Sequence, residues 1–382
     1  MKLLSGTEAQ AGICTGTAQK VEQRIADWLQ EGYTPCAQYY AAHNGVVFLD
    51  GAQGGQNTGI DDTPLTSDSI FPVASITKTF TGALAMMLAE EGLLAPTERV
   101  YRHLPEFTGE GKEFVTIAHL LTHTGGLGES RVWRMSPEEI EKTIIPSGFA
   151  ERYPHLDKWH YAACQTPNVQ QPGEEMVYCS FGIGLVGEIM QRITGKRLDV
   201  LMRERLFEPL GMTSSFLNVP KEVYPRIVNY PKDAYFGADE GDRSSLSASG
   251  GAYSNARDLC VFAQMLLNKG EYNGIRVLSR LSVGAMTRNQ IPGAVSHHEG
   301  VLFREAGWGF SLMLSLDKFD ETGTLRSRET YGHSGAGCSM FIADPVNNMV
   351  AALIDITMKH PGDKVYERRF DRFFNMVFSG VL

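Results

Sequence analysis

The segment "SITKTFTGALAMMLAEEGLL", opening at Ser75, limits the fold more than any other stretch of the chain. Ile76, Phe80, Leu84, Met87 and Leu88 recur at helical spacing, and Ala83, Ala85 and Met86 leave almost no polar face. A helix apolar on nearly every side is internal, so the rest of the chain has to wrap it. Gly92 suits its C-terminal stop. Lys78, however, stands in the first turn. A cation there opposes the positive end of the helix dipole, at about 0.3–1 kcal/mol in an exposed turn. Helix starts favour an acidic or amide residue at the third helical position, and a lysine has no acceptor to offer.

Two readings of Ser75 and Lys78 follow. In the plain one, Ser75 is an N-cap, a position serine favours. In the other, Ser75 is a nucleophile and Lys78 its proton acceptor. Positions three apart share a helix face, and burial together with the dipole lowers the lysine pKa toward a neutral amine.

Around this helix the chain divides into recognisable pieces. Residues 18–30 place Val21, Ile25, Trp28 and Leu29 on one helical face. Asn44-Gly45, between two apolar runs, predicts a β-hairpin. From Leu93 to about Asp242 the pattern is irregular, with helical patches at "TIAHLLTH" and "FGIGLVGEIMQRITG". "FGADEGDRSSLSASGG" reads as loop, and "NARDLCVFAQMLLNKG" as a helix capped by Asn255 and closed at Gly270. "GWGFSLML", "CSMFIADP" and "MVAALIDIT" read as strands, the last two joined by a turn at Pro345-Val346-Asn347. A last helix, "KVYERRFDRFFNMVF", puts Tyr366, Phe370, Phe373, Phe374 and Val377 on one side and arginines on a solvated face. The expectation is an α/β (α+β) fold: an antiparallel sheet built from both termini, flanked by N- and C-terminal helices, with a mainly helical lobe inserted. Residues 1–74 and 245–382 form the sheet lobe and 75–244 the helical one, with the active site between them.

Charge excludes one class of partner. The formal net charge over 382 residues is −9, without a basic stripe, so nucleic acid is not expected. The apolar run at Leu3-Leu4 is too short for a signal peptide, and no run of about 20 apolar residues exists to span a bilayer. The sequence as it stands predicts a cytoplasmic protein without a membrane partner. Six scattered cysteines, none in a C-x-x-C pair, read mostly as buried reduced thiols.

Two further stretches favour the catalytic reading. "VYCSFGIG" places Tyr178 and Ser180 before an apolar helix, and "YGHSGAGCSMFIADP" places His333, Ser334 and Gly335 at a strand. In this order, Ser-x-x-Lys, Tyr-x-Ser and His-x-Gly resemble the three active-site motifs of the class C β-lactamase family. That family includes penicillin-binding D,D-peptidases, D-amino-acid peptidases and β-lactamase-like esterases. "HLLTHTGGL", "FGIGLVGEIMQRITG" and "GGAYSNARDLCVFAQMLLNKG" look like the family's connecting segments, so the resemblance runs from about Gln38 to the C-terminus.

The resemblance implies a cofactor-free serine hydrolase. Ser75 attacks a carbonyl carbon to form an acyl-enzyme, and Lys78 and Tyr178 share the proton work. Tyr178 is favoured as base, its phenol pKa lowered by the nearby cation. The backbone N–H groups of Ser75 and Ala336 form the oxyanion hole, while Ser180 and His333 orient the substrate, with Ser334 and Gly335 beside them. His333 stands where class C β-lactamases carry lysine, and Ser180 where they carry asparagine. That weakens a β-lactamase reading and favours a carboxylesterase acting on a small ester or amide. D-amino-acid peptidase, weak β-lactamase, acyltransferase and a non-turnover acyl-binding sensor remain alternatives. His333 has two readings, a cation that anchors substrate carboxylates or a neutral orienting residue.

The remaining constellations carry little. His119 and His123 lie four apart, but "HLLTH" lacks the glutamate of a zinc protease. His297-His298-Glu299 sits in a stretch read as a small-residue loop, and no metal site is expected. "DGAQGGQNTG" matches no phosphate loop, and no Gly-x-Ser-x-Gly elbow is present. The sequence sets no oligomeric state.

Overall fold

The computed structural model describes every residue except 58–59, 62, 144, 154–155, 235–240, 299–300, 319 and 359–366. The elements that frame the site are, in chain order, β1 (Leu4–Ser5), α1 (Thr17–Gln30), β2 (Cys36–His43), β3 (Val46–Gly54), α2 (Thr77–Glu90), α3 (Glu129–Val132) and α4 (Ser180–Thr194). They continue with α5 (Ala256–Leu267), β4 (Met313–Leu314), β5 (Tyr331–Gly335), β6 (Ser339–Asp344), β7 (Met349–Asp355) and α6 (Glu367–Phe378).

Seven strands form one sheet in the order β1-β3-β2-β7-β6-β5-β4. Every pair is antiparallel except β1 with β3. The β2–β3 hairpin turns at Asn44 and Gly45, both in the left-handed region at φ 54° and 76°. That is the backbone an Asn-Gly two-residue turn supplies, because its hand matches the strand twist. The central strands are buried on both faces, so their alternation sorts two apolar cores rather than a core and a wet face. Tyr40, Phe341 and Ala343 face α5. Tyr39, Met340 and Ile342 face α1 and α6.

α2 is the internal helix its composition demands, with every residue from Thr77 to Leu88 buried. Phe80 meets Phe207 and Phe262 edge-on, at ring-centroid distances of 5.2 and 4.9 Å. Asn255 caps α5 by accepting from the Asp258 N–H.

Three local readings change. "GWGFSLML" yields only the two-residue edge strand β4. Val295–His298 is a strand, pairing with Val301–Phe303 and Glu175–Met176, where a loop was expected. Glu299 and Tyr366 lie outside the described residues. α6 turns Phe370, Phe373, Phe374 and Val377 inward as expected, but Arg369 goes with them at 2% exposure. Its guanidinium grips the equally buried Asp355 through two bonds of 2.8 and 3.0 Å and donates to Thr357 Oγ1 and Cys338 Sγ. A buried guanidinium is tolerable only when its donors are satisfied in this way. Cys14 is exposed, the other five cysteines are buried, and none of the six is in a disulfide. Among the described residues no helix is long and apolar enough to cross a membrane.

Candidate active site

The chain reaches Ser75 through a short strand, Phe71–Pro72, pinned against Ala252–Ser254. Ala74 then adopts φ 43°, a left-handed conformation costly for a residue with a Cβ. The chain enters a 3-10 turn over Ala74–Ile76 before α2 begins. Ser75 is therefore not the N-cap. That position is Ile76, without a side-chain cap, which frees the Ser75 hydroxyl for another partner.

The partner is Lys78. Its Nζ lies 2.9 Å from Ser75 Oγ and donates to the Ser249 carbonyl at 2.7 Å. The first turns of α2 are stitched to the same backbone run. Thr81 Oγ1 donates to the Ala248 carbonyl, and the Ala252 N–H donates to Thr77 Oγ1. Lys78 is 1% exposed and has no carboxylate within ion-pair distance among the described residues. Burial drives its pKa from 10.5 down to about 7, and the charge of Glu129 opposes only part of that fall. Its amine therefore titrates within reach of neutral pH.

Tyr178 closes the other side. Its hydroxyl hydrogen-bonds Ser75, and Lys78 Nζ sits 4.8 Å from its ring centroid. The ring is 39% exposed, yet the hydroxyl is the enclosed end. Burial raises the phenol above its ordinary value; the Ser75 bond counters this in part, and Glu129 and Glu321 reinforce it. The expected lowering of the Tyr178 pKa is reversed, because burial of the phenol itself dominates. Of the pair, Lys78 is the group poised to take a proton at neutral pH.

His333, on β5, is 1% exposed and bonds the Ser334 carbonyl through Nδ1 at 2.6 Å. Burial, then the proximity of Lys78, holds it down to about 3. It is a neutral ring, so the anchoring-cation reading loses its charge and the orienting reading stands. Gly335 lets this strand lie against the approach to the nucleophile. A Cβ there would sit 2.3 Å from the Val73 carbonyl oxygen and 2.4 Å from Ser339 Oγ. That close pass brings Ala336, next in the chain, beside the Val73–Ser75 segment. Ser334 turns its hydroxyl toward Met313 Sδ on the edge strand. Ser180 opens α4, its N–H and that of Phe181 accepted by Glu129 Oε2.

His123, considered above only as a metal ligand, has another place. It is buried at φ 58°, its carbonyl accepts from Val177 N–H, and its Nδ1 accepts from Cys179 N–H at 3.1 Å. Its ring lies 4.5 Å from that of Tyr178. It brackets Tyr178 from both sides in the chain. His119 accepts from the Thr116 N–H at the head of a short helix, and no cluster of three metal-type ligands occurs among the described residues. The Ser249 carbonyl had no sequence signal, since any residue supplies a carbonyl.

Similarity agrees with this geometry. The β-lactamase family profile matches residues 19–373. A penicillin-binding protein 4 of Amycolatopsis lactamdurans is 30% identical over 81% of this chain and 79% of its own. A putative D-alanyl-D-alanine carboxypeptidase of Escherichia coli K12 is 24% identical over 92% and 85%. The crystal structure of a family VIII carboxylesterase shares the fold at a TM-score of 0.76, with 24% identity over 96% of this chain and 98% of that one. The chain belongs to the β-lactamase family, as a serine hydrolase of the β-lactamase-like type.

Proposed function

We propose that the chain is a carboxylesterase that hydrolyses small esters or amides through an acyl-enzyme on Ser75. The observation that carries this reading is the 2.9 Å contact between Ser75 Oγ and a buried lysine with no carboxylate partner among the described residues. The neutral Lys78 amine takes the Ser75 proton as Oγ bonds to the substrate carbonyl carbon. The Ser75 and Ala336 N–H groups hold the oxyanion. When the carbon–oxygen bond to the leaving group breaks, the Tyr178 phenol supplies that group's proton and is replenished by the Lys78 ammonium. A water molecule then repeats the attack, and the same two groups return Ser75 to its starting state. His333 keeps Tyr178 and the oxyanion strand in register.

The ester reading is preferred over D,D-peptidase and β-lactamase because those substrates bring a carboxylate beside the scissile bond. His333 offers that carboxylate a neutral, buried ring. A panel of p-nitrophenyl esters, a chromogenic cephalosporin and D-amino-acid amides tests the choice. Turnover of esters at least about 10-fold above the others supports it, and preference for the cephalosporin or the amides overturns it. A burst stalling at one equivalent identifies the acyl-binding sensor instead.

A further inference from the structure

The entrance to the site carries a carboxylate beside the exposed indole of Trp133, against which Phe181 and Trp159 pack at 5.0 and 5.4 Å. Glu129 begins α3, four residues before Trp133. Its Oε2 accepts from the N–H groups of Ser180 and Phe181, and its Oε1 accepts from Trp133 Nε1 at 3.0 Å. Those donors are neutral. They fix the carboxylate within two residues of Tyr178 without cancelling its charge. No cation lies within ion-pair distance of Glu129 among the described residues. The exposed Arg131 on the same helix runs its stem along Gly128. Trp133 is 58% exposed, backed by Phe181 at 5.0 Å and a 27° tilt. Exposed Val177 and Tyr178 continue the apolar rim.

The surrounding field has the same sign. Glu129 is the carboxylate that favours the charged form of Lys78, and Glu129 and Glu321 both oppose ionisation of Tyr178. Among the described residues, Lys78 is the cation whose charge acts on His333. A carboxylate immobilised at the edge of an exposed indole is an environment that attracts an ammonium group, through charge and through the ring quadrupole together. It repels a substrate carboxylate for the same reason.

We propose that Glu129 and Trp133 form a charge-selecting subsite that receives an ammonium-bearing group of the ester or amide substrate and turns carboxylates away. This rests on the acyl-enzyme reading and adds the charge class of its substrate.

The test is a set of three p-nitrophenyl esters matched in size, whose acyl groups end in trimethylammonium, tert-butyl and carboxylate. At low salt, kcat/KM is expected to run about 5- to 30-fold higher for the cation than for its neutral isostere. It should be lower again by a similar factor for the anion, and the spread should narrow in 0.5 M salt because the corner is open to solvent. Glu129→Gln, which keeps an acceptor for the α4 N–H groups, should bring the three rates together, and Trp133→Leu should lower the cation's advantage alone. Equal rates for the three esters in the unaltered protein overturn the proposal, as does a charge order that Glu129→Gln leaves intact. If no ester turns over, labelling of Ser75 by cationic, neutral and anionic fluorophosphonates reads the same order. Absence of any label at Ser75 refutes the acyl-enzyme reading itself, and this proposal with it.

Discussion

Two buried lysines divide this molecule. Lys78 and Lys112 are each 1% exposed, each donates to a single backbone carbonyl, and neither has a carboxylate partner among the described residues. Burial lowers both, to about 7 and about 8. They differ in what stands on the remaining side. Lys112 faces the Phe107 ring at 4.4 Å, a partner that stabilises a cation and exchanges no proton. Lys78 faces the Ser75 hydroxyl, with Tyr178 against its flank. A depressed pKa therefore marks desolvation in both and, in the proposed mechanism, chemistry in one. The hydroxyl neighbour, on a helix entered through a strained turn, makes the difference.

The sharpest way to break this comparison is to remove each ammonium in turn. Lys78→Met should lower kcat/KM for a p-nitrophenyl ester by about 10³-fold or more, as loss of a proton acceptor in a coupled catalytic unit does. Lys112→Met should stay within about 3-fold. Similar losses in the two variants would mean that Lys78 acts only through packing. Next in size, Tyr178→Phe should cost about 10²- to 10⁴-fold, in the range of a lost general acid or base. Combined with Lys78→Met it should add little, because groups that act as one unit are not additive. Multiplying losses would assign the two residues separate tasks.

A smaller effect concerns the clamp on Tyr178. His123→Ala should reduce kcat by about 10-fold with KM little changed, while His123→Asn, which keeps an acceptor for the Cys179 N–H, should recover part of it. A fall in KM and kcat together, unrelieved by asparagine, would indicate general loosening of the fold.

The smallest effect runs opposite to activity. A lysine whose folded pKa is about 7 against an ordinary 10.5 binds fewer protons folded than unfolded between those values. Stability then rises with pH across that window and is lowest below about pH 7. Lys112 behaves alike from about pH 8 upward. Replacing either by methionine removes the desolvation cost and should raise Tm at pH 6 by about 2–4 °C. A Tm that falls in both variants would show that the carbonyl bonds outweigh desolvation.

The two lysines also mark what the sequence could reveal. Lys78 was legible because it interrupts an all-apolar helix three residues after a serine, where local rules disfavour it. Lys112 lies in "GEGKEF", where a lysine looks solvated, and only tertiary packing buries it. The hairpin, α1, α2 and α5 could be read from turn chemistry and periodicity, which are local. Arg369 could not, because α6 carries its arginines at spacings that suit an exposed face and the buried Asp355 is 14 residues away. Short elements such as β1 and β4 fall below any periodicity, being two residues each and set by their neighbours. Within the site, the proposed nucleophile and its partners were chosen from motif order. The direction of the Tyr178 pKa could not be read that way, because it is set by how deeply the fold buries the phenol.

The central claim is that a near-neutral Lys78 amine activates Ser75. The pH dependence of Ser75 labelling by an uncharged fluorophosphonate, read by peptide mass spectrometry, tests it most directly. The account predicts a second-order rate that climbs as pH rises through about 7, when the amine loses its proton, and then levels off. The same profile should hold in Lys112→Met, and Lys78→Met should be almost unlabelled. A rate flat across pH 6–9, an inflection unmoved by loss of Lys78, or a label on another residue would contradict it.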